Sequence, residues 1–182
     1  NVKITVSGQY INQSDVGDAL AGNVDANYYG AKLAASSGAL SGYIAYSTTD
    51  SDTDNILTGN GNLGIITPWG GMPAFTQGMV TRHQFMAGTK ASKVAASYSF
   101  KEQGVNLSTA AYYASFNMDE NSGYGVARTA YEPGFDIQYY PAAIKNLQLR
   151  FRGDFPRKFV ESTATSGNTG WNEYRLIANY NF

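Results

Sequence analysis

Leu147, Leu149, Phe151, Gly153 and Phe155 alternate strictly with Gln148, Arg150, Arg152 and Asp154. Only an extended strand separates such residues onto two faces, one apolar and one charged. A slip of one residue would exchange the faces completely. The same period of two recurs along the chain. Val2, Ile4, Val6 and Tyr10 oppose Lys3, Thr5, Ser7 and Gln9, and Tyr29, Ala31, Leu33 and Ala35 oppose Tyr28, Gly30, Lys32 and Ala34. Further segments follow at Leu40 to Tyr46, Arg82 to Phe100, Val105 to Phe116, Phe135 to Tyr139 and Trp171 to Phe182. The reading is eight strands, all-β, with a bulge expected in the irregular upper part of the fourth. The tyrosine-rich fifth strand leaves its inside and outside faces open.

The connections alternate in length. Short ones fall at Ser37-Gly38, at Lys101 to Gly104 and at Pro141 to Asn146; long ones at 11–25, 49–78, 117–133 and 156–170. Short and long in turn describe an antiparallel up-and-down meander, the plan of a transmembrane β-barrel with tight periplasmic turns and long external loops. Both termini then lie on the periplasmic side. No run reaches the roughly 20 apolar residues of a membrane-spanning helix. A membrane crossing would therefore use strands, because only helices and closed barrels satisfy their backbone polar groups there.

Composition narrows the function classes. Charged residues make up 15% of the 182, with 14 Tyr, 9 Phe and 20 Gly. Thirteen Lys and Arg against fourteen Asp and Glu leave a net charge of -1, without the basic surplus of a nucleic-acid-binding domain. Zero Cys and one His exclude thiol catalysis and any site that needs two histidines. His83 lacks a neighbouring nucleophile motif and no phosphate-binding glycine loop appears, so no enzyme is expected. The start at Asn1, without Met or a signal-peptide core, suggests a mature or truncated product.

On this strand assignment Lys3, Lys32, Arg82, Lys93, Arg150, Arg152 and Arg175 face inward with Asp136, Asp154 and Glu173. An arginine facing lipid at the bilayer midplane costs roughly 2 to 4 kcal/mol, which fixes the polar faces inward and the apolar faces outward. The cationic excess then separates two architectures. Side chains just fill the interior of an eight-stranded barrel, where unpaired cations would be desolvated at several kcal/mol each. A wider, water-filled barrel tolerates them. The expectation is one barrel segment, residues 1–182, within a larger barrel whose other strands precede Asn1.

The loops carry weaker signals. Asp50, Asp52 and Asp54 form an acidic cluster that could attract Ca2+, but Asn55 and Gly61 occupy positions where an EF-hand needs Gly and Glu. A solvated acidic loop is the competing reading, and otherwise no cofactor is expected. Trp69, Met72 and Phe75 lie in a long, Pro- and Gly-containing connection, either an inward constriction or a plug packed on the wall. His83 receives no role. Tyr10, Tyr46, Phe155, Tyr180 and Phe182 near strand ends suit aromatic girdles at the two membrane interfaces.

The run Thr67-Pro-Trp-Gly-Gly-Met-Pro-Ala-Phe-Thr-Gln-Gly-Met-Val-Thr-Arg-His-Gln-Phe85 and the ending Trp171-Asn-Glu-Tyr-Arg-Leu-Ile-Ala-Asn-Tyr-Asn-Phe182 resemble the C-terminal half of a Campylobacter-type major outer membrane porin, a relative of the OprD-like porins. That resemblance covers essentially the whole chain. It implies a barrel of about 16 to 18 strands, commonly a homotrimer, set in outer-membrane lipid and passing small hydrophilic solutes and ions. It also implies that Tyr180 and Phe182 form the terminal signal read by the barrel-assembly machinery, a feature shared by most such barrels. Two other readings stay open: an eight-stranded membrane anchor or adhesin acting through its loops, and a soluble β-sandwich.

Overall fold

The computed structural model describes residues 1–14, 18, 24–50, 64–66, 73–120, 124, 126–161 and 164–182. Ten strands follow in order: β1 (Lys3–Ser14), β2 (Asp25–Ser37), β3 (Leu40–Thr49), β4 (Lys90–Ser99), β5 (Leu107–Met118), β6 (Arg128–Tyr139), β7 (Leu147–Asp154), β8 (Phe159–Glu161), β9 (Ala164–Thr169) and β10 (Glu173–Tyr180). Eight of them form one sheet in the order β1-β2-β3-β4-β5-β6-β7-β10. Every neighbouring pair is antiparallel. The remaining two make a small hairpin within the connection from β7 to β10. Among the described residues β1 and β10 are not paired with each other, so the sheet is open at both ends.

Period two governs which side chains meet water. Val6 is 78% exposed and Leu176 87%, and Ile4, Tyr29, Leu33, Ile44, Val94, Leu149 and Phe151 share their face. Such a continuous apolar surface has no place in water and suits lipid. Tyrosines and phenylalanines border it at both ends. Tyr10 packs on Tyr29 at 5.2 Å near the long connections, with Tyr46 exposed close by. Tyr98 meets Phe100 at 4.9 Å and Tyr180 meets Phe182 at 5.1 Å near the short turns. Phe155, just beyond β7, packs on Tyr174.

The opposite, polar face is covered where the long connection between β3 and β4 folds over it. One small apolar cluster joins Ala26, Tyr28, Ile65 and Phe85, with Ile11 and Ala74 against it. A second joins Tyr112, Ala114, Phe116 and Met118 of β5 with Ala91, Ala130 and Phe159. These clusters settle the open question for β5: Tyr112, Ala114, Phe116 and Met118 point to the covered face, and Ala111 and Tyr113 point away.

Several expected boundaries are corrected, the first being the connection 11–25, which begins only after Ser14 because β1 runs on to that residue. The fourth strand begins at Lys90 rather than near Arg82. Residues His83–Phe85 form a 3-10 turn whose Gln84 and Phe85 are buried, so Arg82 lies in the connection, outside any strand. No bulge interrupts β4, which keeps an unbroken register with both neighbours. The expected loop 117–133 shrinks as well, because β5 runs on to Met118 and β6 starts at Arg128. Pro133 falls in the expected loop and Gly134 just before the expected strand start at Phe135, but both lie within β6. Pro133 still accepts from the Phe155 amide at 2.9 Å, and a Cβ at Gly134 would overlap the Tyr112 ring lying across it. Glu132, assigned to a loop by its neighbours, is therefore a strand residue.

Candidate functional site: the polar face and its inward belt

Residues 73–81 run as a belt along the polar face and touch seven strands in succession. Gln9 of β1 donates to the Pro73 carbonyl at 2.5 Å. Lys32 of β2 places its ammonium 4.7 Å from the Phe75 ring centre, within cation–π range. Ser47 of β3 and Thr76 share a buried hydroxyl bond of 2.6 Å. Lys93 of β4 donates to the Gln77 carbonyl at 2.6 Å and lies 4.4 Å over the Tyr112 ring of β5. Beyond it, the Met79 amide donates to Glu132 of β6 at 2.5 Å, and Arg152 Nε of β7 stands 3.0 Å from Met79 Sδ. The connection is held upstream of the belt too, by a reciprocal pair between the Gln13 side chain and the Ile66 backbone at 2.8 and 2.7 Å.

Glu132 is the centre of this arrangement and is 0% exposed. Besides Met79, its oxygens accept from the amides of Val80 at 3.3 Å and Thr81 at 2.9 Å. The Tyr112 hydroxyl donates to it as well and lies 3.0 Å from Asp154 Oδ1. Sequence reasoning missed Glu132 and Tyr112. The signal was present, since Ala130, Glu132, Gly134 and Asp136 continue the period of two upstream of Phe135.

Below the belt, toward the short turns, the face opens into a hollow of about 330 Å³ walled by small residues such as Ala34, Ser41, Ala95 and Ser97, with Lys93 and Asp136 on its rim. Beside it stand the arginines. Arg150 Nε donates to both oxygens of Asp136 at 2.8 and 2.9 Å, and Arg152 Nε is 4.0 Å from the same carboxylate. Arg175 sits directly opposite Arg152 across the β7–β10 pair and donates to Glu173. Bidentate pairing of this kind orients a guanidinium without neutralising a neighbouring one.

The expected inward set is thus largely brought together. Lys3, Lys32, Lys93, Arg150, Arg152 and Arg175 lie on the polar face with Asp136, Asp154 and Glu173; Arg82 leaves the set, and Arg128 and Glu132, on the same face of β6 as Asp136, join it. Lys3 is exposed, opposite Ser36 at the short-turn end. Asp50 accepts from the Asn27 amide and side chain at 2.9 and 2.8 Å through its two oxygens; Asp52 and Asp54 lie outside the described residues. Trp69 and Met72 also lie outside them, whereas Phe75 is half-buried beneath Lys32.

Comparison with solved structures places this architecture. OccK1 (OpdK) of Pseudomonas aeruginosa aligns with 98% of the chain and 44% of its own length, at a TM-score of 0.78 and 16% identity. OprD from Pseudomonas aeruginosa aligns with 98% of the chain and 47% of its own length, at 0.76 and 18% identity. OccK9 (OpdG) of the same organism gives 98%, 42%, 0.72 and 22%. At these identities the likeness is one of fold, and the chain spans less than half the length of each neighbour. No curated protein matches the chain. The family profile described as outer membrane porin, OprD family, matches residues 1–182. An open eight-stranded meander with one apolar, lipid-suited face, one charged face and a profile match along its whole length places the chain in the OprD family of integral outer membrane porins.

Proposed function

We propose that this chain supplies part of the wall of a water-filled outer-membrane channel for passive diffusion of small hydrophilic solutes and ions, with no catalytic step. The observation that carries this reading is the belt, which lies on the charged face of the sheet while the apolar face is left bare for lipid. An anchor or adhesin would need no such furnishing of its inner face. The whole chain is one barrel segment in this reading. Its C-terminal-half, Campylobacter-type character is supported by the runs Thr67 to Phe85 and Trp171 to Phe182. A homotrimeric assembly, and recognition of Tyr180 and Phe182 by the barrel-assembly machinery, belong to the same proposal. Both aromatic side chains are exposed beside one another and accessible to a partner. Planar-bilayer recording of the full-length protein tests the function. Stepwise conductance increments are expected, and a protein that inserts without them would favour the anchor reading.

A further inference from the structure

The belt is attached at both of its ends independently of Glu132. Gln9 holds Pro73, and the turn His83–Phe85 is rooted by buried Phe85 and by Thr49 donating to the Gln84 carbonyl at 2.7 Å. Between those ends, Met79, Val80 and Thr81 present successive amides to one carboxylate, a backbone concavity of the kind that holds anions. Glu132 is out of water, where an ionised carboxylate is heavily penalised unless its lone pairs are filled. The belt fills them. Gly78 is buried against the same group: a Cβ there would overlap Glu132 Oε2, Glu132 Cδ and Thr81 Oγ1. A side chain at 78 therefore forces the Glu132 carboxylate and the belt apart.

We infer that Glu132 and Gly78 form a latch that pins the belt to the barrel wall and so sets the size limit of the passage. With the wall on one side and both ends tethered, a released belt moves only toward the lumen. Loss of the latch therefore narrows the passage. This rests on the channel reading above. Glu132 itself is fully buried, a positioning residue that acts on solutes only through the belt.

The test uses liposomes containing the full-length protein and follows swelling in uncharged sugars of increasing size, which are blind to the loss of a negative charge. Glu132→Ala and Gly78→Ala should each slow the larger sugars several-fold while the smallest still enter, and Glu132→Gln, which keeps one acceptor, should fall between. Because both substitutions break one contact, the double variant should be no slower than the more affected single variant. A wild-type size limit in the folded single variants, faster entry of large sugars, or additive slowing in the double variant would each overturn the latch. Folding is read from heat-modifiable electrophoretic mobility. If the alanine variants do not fold, the near-isosteric Glu132→Gln carries the test on the same readout, and a wild-type limit there overturns the proposal. Wild-type liposomes that admit no sugar would instead count against the channel reading.

Discussion

His83 is boxed by aromatic rings, with Phe159 at 4.7 Å, Tyr124 at 5.3 Å and Phe116 at 6.0 Å between centres. Burial lowers its pKa from 6.5 to about 4, opposed by the nearby charge of Glu132. The unfolded chain therefore binds a proton that the folded chain refuses between those two values. Stability from this residue is complete above pH 6.5, falls as pH drops, and levels off below about 4. The full loss is roughly 3 kcal/mol. Unfolding in detergent micelles across that range should show the slope in the wild type and a smaller one in His83→Phe, which keeps the aromatic packing and cannot titrate. Equal slopes would place the pH dependence elsewhere.

Between elements, the register of β6, β7 and β10 does what no single side chain does. It sets Asp136 opposite Arg152, and Arg152 opposite Arg175, although like charges directly opposed on a sheet disfavour pairing. Asp136 and Glu173 offset that cost by holding Arg150 and Arg175. The result is a basic ladder running across two strands on the polar face. Changing Arg150 and Arg152 together to Gln leaves Asp136 without its guanidinium partners. The full-length channel should then shift its reversal potential toward greater cation selectivity, most clearly at low salt, where screening is weakest. An unchanged reversal potential at low ionic strength would remove the ladder from any role in selectivity.

For the whole molecule, the open sheet is the controlling fact. Among the described residues β1 and β10 each keep one edge without a strand partner, and a bilayer does not tolerate unpaired backbone groups. Free edges also invite pairing between chains. The solved neighbours extend well beyond this span, which covers 42% to 47% of the three compared. Residues 1–182 produced alone should therefore yield heat-labile, aggregating material without single-channel steps. Discrete, heat-resistant monomeric channels from this span would mean that it closes as eight strands.

By itself the sequence determined the eight strands of the main sheet to within their ends and, β5 apart, their two faces, because period two and the alternation of turn lengths are local properties of the chain. Leu147 to Asp154 declares its apolar and charged faces without any knowledge of a partner. Only the tertiary structure decided the site. Glu132 follows from Gly134 making room for Tyr112 and from the belt delivering three amides to its carboxylate, contacts between residues some twenty to fifty positions apart. Arg82 left the strand because the chain turns at His83–Phe85 to bury Phe85 against Tyr28, a gain that local alternation does not register. Strand faces are written residue by residue, whereas a connection folded back over a sheet takes its path from the partners it finds there.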